Sequence, residues 1–149
     1  MRTYEFLSEQ TVRAPVPEVF AFLADARNLD ALTPAFLRFR IVTPMPVEMR
    51  PGLSIDYRLR FRGIPLPWRS EITDWEPHRF FAYEQRRGPY RFWRHEHVFG
   101  STASGGARTT DRVLWSVAGG PVVRRLVVER HLERIFESRN RVLRERFGA

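Results

Sequence analysis

The chain has no lysine and no cysteine. Its 149 residues carry 25 basic and 17 acidic side chains, a formal charge of +8, and every basic residue is an arginine. Without lysine there is no amine for Schiff-base chemistry and no P-loop cation for a nucleotide phosphate. Without cysteine there is no thiol nucleophile, thiolate metal site, redox pair or disulfide. Any catalysis is left to His, Asp, Glu, Ser, Thr or Tyr. Long apolar runs are also missing. The longest, Val19 to Ala24, is far too short to cross a bilayer, and the segment opening Met1-Arg-Thr-Tyr-Glu-Phe never develops the apolar stretch of a signal peptide. These absences lead us to expect a soluble, cytoplasmic protein, its lack of disulfides fitting a reducing compartment. Glycine-rich phosphate loops, nucleophile elbows and zincin helices are absent as well.

What is present reads as one domain over residues 1–149, long enough to bury roughly two-thirds of its unfolded surface. Tyr4 to Arg13 reads as an opening strand. Pro15 and Pro17 then suit a helix start, with Val19, Phe20, Phe22 and Leu23 on its apolar side, and Asn28 to Leu32 reads as a second short helix stopped by Pro34. From Phe36 to Val117 the period changes to two. Leu37 to Val42, Leu53 to Arg62, Trp68 to Trp75, Arg79 to Gln85, Phe92 to Phe99 and Ala107 to Val117 are predicted strands, separated by proline and glycine turns. The result is an antiparallel meander.

Alternation assigns the faces. Ile55, Tyr57, Leu59 and Phe61 oppose Asp56, Arg58, Arg60 and Arg62; Trp93, His95, His97 and Phe99 oppose Arg94 and Glu96; Asp111, Val113 and Trp115 oppose Arg112. Gly119-Gly120-Pro121 opens a long amphipathic helix to Phe147, with Val123, Leu126, Val127, Leu132, Ile135, Phe136, Val142, Leu143 and Phe147 at helical spacing. Arginine and glutamate fill its other face, including a Glu137 to Arg141 pair, and His131 sits among those charges. His78 falls in a turn. The helix has one apolar surface to cover, the inner face of a curved sheet.

This element order resembles the helix-grip fold of the START and Bet v 1 related superfamily, an α+β fold in which a curved antiparallel sheet of about seven strands wraps a long C-terminal helix. Asn28-Leu-Asp-Ala-Leu-Thr-Pro34, Gly88-Pro-Tyr-Arg-Phe-Trp-Arg-His-Glu-His-Val-Phe99 and Thr110-Asp-Arg-Val-Leu-Trp115 followed by Gly119-Gly120 are similar to the bacterial polyketide cyclase/dehydrase-like and coenzyme Q-binding-like branch. The resemblance covers essentially the whole chain. It implies an internal cavity for a lipid, isoprenoid quinone or polyketide-like aromatic, and it identifies a fold better than a reaction.

In that fold Tyr57, Phe61, Phe81, Tyr83, Trp93, Phe99 and Trp115 from the sheet, with Leu132, Ile135 and Phe136 from the helix, are candidates to line the cavity or to pack behind it. His95, His97 and Asp111 add polar groups to the same face. They invite an acid-base reading, with Asp111 orienting an imidazole, and equally a structural one in which they satisfy each other. No third spaced histidine accompanies them, so no metal is expected, and no cofactor is implied. Met45 and Met49 in one proline-flanked loop, and Ile64 and Leu66 in another, are candidate portal residues.

The expected partner is therefore a hydrophobic small molecule. Arg38, Arg40, Arg58, Arg60, Arg62, Arg69, Arg94 and Arg112 belong to the outward face, where carboxylates interrupt them and the stacking aromatics point the other way. Nucleic acid is not expected, and a transient contact with an anionic membrane is the further partner this face suggests. A cyclase or dehydratase activity is the alternative to simple binding. The sequence leaves the oligomeric state open.

Overall fold

The computed structural model describes residues 2–61 and 63–149. β1 (Tyr4–Val12) leads into α1 (Val16–Leu23), a 3-10 turn (Ala26–Asn28) and α2 (Leu29–Leu32), and a second 3-10 turn (Ala35–Leu37) precedes β2 (Arg40–Ile41). The meander follows as β3 (Ser54–Phe61), β4 (Ile64–Glu76), β5 (Phe80–Arg87), β6 (Phe92–Ser101) and β7 (Ala107–Ser116). A helical tail closes the chain: α3 (Gly120–Val123), a π-helical turn (Arg124–Val128) and α4 (Glu129–Phe147). One antiparallel sheet takes all seven strands in the order β1-β7-β6-β5-β4-β3-β2, and this is the expected α+β helix-grip arrangement.

The period-two reading holds where it positions the site. On β6 Trp93, His95, His97 and Phe99 are buried while Arg94 and Glu96 are not; on β7 Thr109, Asp111, Val113 and Trp115 face the same way. The register sets His97 opposite Asp111 and Tyr83 opposite His95. α4 is tied across the sheet by side chains of β1. Gln10 Nε2 donates to the Asn140 carbonyl at 3.0 Å, and Asn140 Nδ2 donates to Ser8 Oγ at 3.1 Å.

Two local expectations about the strands change. Leu37 to Val42 is not a strand. Leu37 ends a 3-10 turn, Arg38 takes a left-handed φ of 48°, and only Arg40 and Ile41 reach β3, opposite Arg58 and Tyr57. The expected Gly63 to Pro67 connection shrinks to a turn at Gly63, because β4 begins at Ile64 and pairs Pro65 with Arg60 and Pro67 with Arg58. Prolines survive there because the β5 ladder begins only at Arg69, so their missing N–H groups face an unpaired side. Arg62, read above as the end of its strand and part of the outward row, lies outside the described residues.

The tail is not a uniform α-helix. Glu129 N–H donates to the Arg124 carbonyl, closing a wider turn. That turn leaves Leu126 58% exposed, although its spacing placed it on the apolar stripe, while Val128 is buried. Gly119 is needed at the tail's start: it has a φ of 107°, and an added Cβ would meet Val123 Cγ2 at 2.5 Å. Arg141 pairs with Glu145 at 4.0 Å rather than with Glu137. Among the described residues no helix is long and apolar enough to cross a membrane.

The interior divides into two clusters. Val12, Val19, Phe20, Leu23, Phe81, Phe99 and Leu143 pack together beneath α1. Trp68, Trp93, Val113, Trp115, Val128, Leu132 and Phe136 form the other cluster beneath the π-turn and the start of α4.

Candidate functional site: a buried polar ring at the floor of an apolar cavity

His95 and His97 stand two residues apart on β6, Asp111 faces them from β7, Tyr83 from β5, and Arg139 comes down from α4. Arg139 Nη2 lies 2.8 Å from His97 Nδ1 and 3.2 Å from Asp111 Oδ1. A guanidinium only donates, so His97 Nδ1 is an acceptor and the His97 proton sits on Nε2. That N–H donates to the Tyr83 hydroxyl oxygen at 3.3 Å. The Tyr83 O–H then donates to His95 Nδ1 at 2.9 Å, which places the His95 proton on Nε2, donating to Asp111 Oδ1 at 2.9 Å. One proton assignment satisfies these contacts as a closed ring. The remaining approach, His97 Nδ1 to Asp111 Oδ1 at 3.1 Å, joins two acceptors bridged by the Nη2 hydrogens.

The ring is almost wholly sheltered from solvent. His95, His97, Asp111 and Arg139 are 2–5% exposed. The imidazoles stack with centroids 3.8 Å apart, and Phe81 stacks on the far side of His97 at 4.1 Å. Burial holds both histidines below their ordinary pKa. Asp111 opposes burial and Arg139 reinforces it at both rings; at His97 the neighbouring imidazole and Arg139 come ahead of Asp111, and the shift is larger. For Asp111 burial alone would favour the acid form, but Arg139 and the imidazoles outweigh it and hold the carboxyl well below the usual carboxylate range. Burial raises the Tyr83 phenol. The ring is thus an Arg⁺/Asp⁻ pair with two neutral imidazoles and a neutral phenol. Arg139 Nε is buried and has no hydrogen-bond partner among the described residues.

His95, His97 and Asp111 offer ligand atoms that all lie within 4.8 Å of one another, a spacing a divalent ion can use. Arg139 Nη2 already holds that position. Its fixed positive charge touches two of the three atoms, so the donor set is spent on an internal cation.

A cavity of about 340 Å³ opens beside the ring. Of the residues expected from the sequence, Tyr57, Phe61, Tyr83, Trp93, His95, Ile135 and Phe136 line it. His97 and Asp111 sit behind Tyr83 and His95, out of contact with it. Phe81 and Phe99 belong to the cluster beneath α1, and Trp115 and Leu132 are fully covered behind the wall. Of the four portal candidates, Leu66 lines the cavity and Ile64 is 62% exposed at the β3-β4 tip. Met49 borders a separate void of about 30 Å³, and half-buried Met45 lines neither space.

Many lining residues were missed by sequence reasoning, and those with polar or aromatic chemistry to offer include Trp68, Tyr90, His131 and Arg139. His131 is not out among charges; its ring lies 5.0 Å from Phe61, and burial, with Arg134 nearby, lowers its pKa. Arg139 was legible in principle. Leu132, Phe136, Arg139 and Leu143 follow one another at four, three and four residues along the buried stripe of α4. His78 is exposed at a left-handed φ of 67°, as its turn position predicts.

A sheet wrapped on a terminal helix around an apolar cavity defines a helix-grip protein. The chain belongs to the polyketide cyclase/dehydrase and lipid transport family, whose profile matches residues 4–148. Among solved structures it is similar to the Zhui aromatase/cyclase from Streptomyces sp. R1128, with 19% identity over 95% of this chain and 92% of that one at a TM-score of 0.73. TTHA0849 from Thermus thermophilus gives 18% identity, 96% coverage of both chains and a TM-score of 0.72. Ara h 8.0201 gives 16% identity over 95% of this chain and 98% of that one, at 0.66. At these identities the likeness is one of fold. No curated protein matches the sequence significantly.

Proposed function

We propose that the protein binds or carries a hydrophobic small molecule, a lipid, isoprenoid quinone or polyketide-like aromatic, in the cavity between sheet and C-terminal helix. The observation that carries this reading is the cavity itself, about 340 Å³ and walled by Leu59, Leu66, Trp93 and Ile135, with polar groups gathered at Tyr83, His95 and Arg139. Its size falls at the lower end of small-molecule sites, roughly 300–1,000 Å³. An apolar body fits the walls, and an oxygen acceptor on the ligand suits the Arg139 guanidinium, whose Nε has no partner among the described residues, the Tyr83 and His95 hydrogens being used within the ring. A carboxylate suits it less, because Asp111 already neutralises Arg139 at 3.2 Å. Native mass spectrometry after mild purification, with organic extraction of the bound material, tests the proposal. A co-purifying apolar compound with oxygen functions is the expected result, and a chain that neither retains nor takes up such compounds would sink it.

A second reading follows from His95, which lines the cavity with Asp111 directly behind it. That order suits acid-base work on a ligand through Tyr83: its hydroxyl passes a proton to His95 Nδ1 as its oxygen takes one from a ligand carbon or hydroxyl, and Asp111 stabilises the imidazolium. This is the cyclase or dehydratase alternative. Separate His95→Gln and His97→Gln variants distinguish it from carriage: carriage tolerates both, provided the fold holds, while turnover of an identified substrate would fall at least about a hundredfold on loss of His95.

A further inference from the structure

The outer sheet face is divided in its charges. Across β4 to β7 and β1 most of the arginines have carboxylate partners among the described residues, Arg69 with Asp56, Arg94 with Asp74, Glu84 and Glu96, and Arg112 with Glu5 and Glu96, the exception being exposed Arg87 at the end of β5. At the other edge Arg40, Arg58 and Arg60 are exposed and have no carboxylate partner among the described residues. Arg40 stands directly opposite Arg58, a like-charge pair that costs stability and finds no relief on its strand. Arg60 Nη1 donates to the Gly63 carbonyl at 3.3 Å, which holds its charge at the β3-β4 tip.

The same tip borders the cavity mouth. Along the inner side of β3 burial decays from Ile55, 5% exposed, to the half-buried Tyr57, Leu59 and Phe61, all three of which line the cavity. Beyond them stands Ile64, 62% exposed, opposite Phe61. On the helical side Val122 and Leu126, 67% and 58% exposed, flank the lining residues Val123 and Val127. The adjoining Arg125, Arg130 and Arg134 are exposed, with Glu133 the one exposed carboxylate between Val122 and Phe136 that lacks an ion-pair partner among the described residues.

We propose that this rim docks on an anionic bilayer, with Ile64, Val122 and Leu126 entering the headgroup boundary and the tip arginines binding lipid phosphates, so that ligand passes directly between membrane and cavity. Docking is independent of which compound is carried, but the transfer role rests on the cavity reading above. Aliphatic tips ringed by fixed cations suit the boundary between headgroups and acyl chains. Arginine adds bidentate phosphate contacts that a point charge lacks. A nucleic-acid surface would instead present a row of free stacking aromatics beside its arginines, whereas the exposed tips Ile64, Val122 and Leu126 are aliphatic and the exposed aromatic nearby, Phe36, is already covered by the Arg134 guanidinium at 4.4 Å.

Flotation with phosphatidylcholine vesicles, with and without a minor fraction of phosphatidylglycerol, tests the proposal at about 0.05 M and about 0.5 M salt. The full chain is expected to float with the anionic vesicles at low salt, to be released at high salt and to ignore pure phosphatidylcholine. Arg58→Gln combined with Arg60→Gln should weaken partitioning roughly twenty-fivefold, about fivefold per arginine. Binding of the neutral dye N-phenylnaphthylamine should be unchanged in that variant, since it reads the cavity alone. No flotation of the wild type at low salt, or equal flotation of the variant, overturns the docking proposal. With dye binding intact, that outcome leaves the cavity reading standing; wild-type protein that fails to bind the dye removes the cavity reading whatever the flotation result. Retention on single-stranded RNA without flotation assigns the arginines to nucleic acid and likewise overturns it.

Discussion

The interior has a packed half and an open half, and they are built from the same kinds of residue. Beneath α1, Phe20 packs edge-on to Phe81 at 5.7 Å and against Phe99 at 5.0 Å, and the adjoining void is only about 30 Å³. Beneath the π-turn, Trp68 and Trp93 meet at 5.4 Å, yet about 340 Å³ stays open in front of them. Aromatic content therefore does not distinguish a cavity from a core. What differs is the cover: α1 lies on one half, whereas the other is spanned by a helix that begins with a widened turn. The polar ring stands between them, with His97 stacked on Phe81 of the packed half and His95 set edge-on to Phe136 of the open one.

The largest way to break this partition is at Asp111. Asp111→Ala leaves Arg139 buried without its counter-charge and should cost about 3–5 kcal/mol in chemical denaturation. A loss under about 1 kcal/mol would mean that the ring is wet and the partition is not fixed by charge. Next comes the contrast between the halves. Phe81→Ala should cost about 3–5 kcal/mol, as expected for a closed core, while Ile135→Ala, already facing empty space, should cost about 1–2 kcal/mol. Equal losses would contradict the division.

Acid provides a third, more graded test. His95 and His97 are held below 6.5 in the folded state, so below that pH the unfolded chain binds protons that the folded chain does not. Stability is then full above about pH 6.5 and falls as pH drops, by up to about 1.4 kcal/mol per pH unit for each histidine. Asp111, held below 3.8, adds its own loss only as pH falls beneath that value. Denaturant midpoints between about pH 7 and pH 5 should therefore decline, and less steeply in His97→Gln. A flat wild-type profile would show that the imidazoles are accessible and freely titrating.

Much of this architecture is legible in the sequence because it rests on period. The alternation on β3, β6 and β7 places Tyr57, His95, His97 and Asp111 on the inner face without any structure. The division of that face is not legible, since Phe81 and Trp93 have the same pattern and differ only in what covers them. Arg139 was hidden by its own chemistry: an arginine on an amphipathic helix is assigned to solvent by type, although its spacing from Phe136 and Leu143 marks the buried stripe. Arg38 and the π-turn change the path by local backbone geometry, for which the surrounding residues carry no strong signal.

Saturable binding of N-phenylnaphthylamine tests the central claim most directly, by comparing the wild type with Leu59→Phe combined with Ile135→Phe, which fills the open half, and with Phe81→Leu in the packed half. Wild type and Phe81→Leu should bind alike, and the filled variant should remain folded while losing at least about tenfold in affinity. A wild type that does not bind, or a filled variant that binds unchanged, would contradict a ligand cavity in the open half.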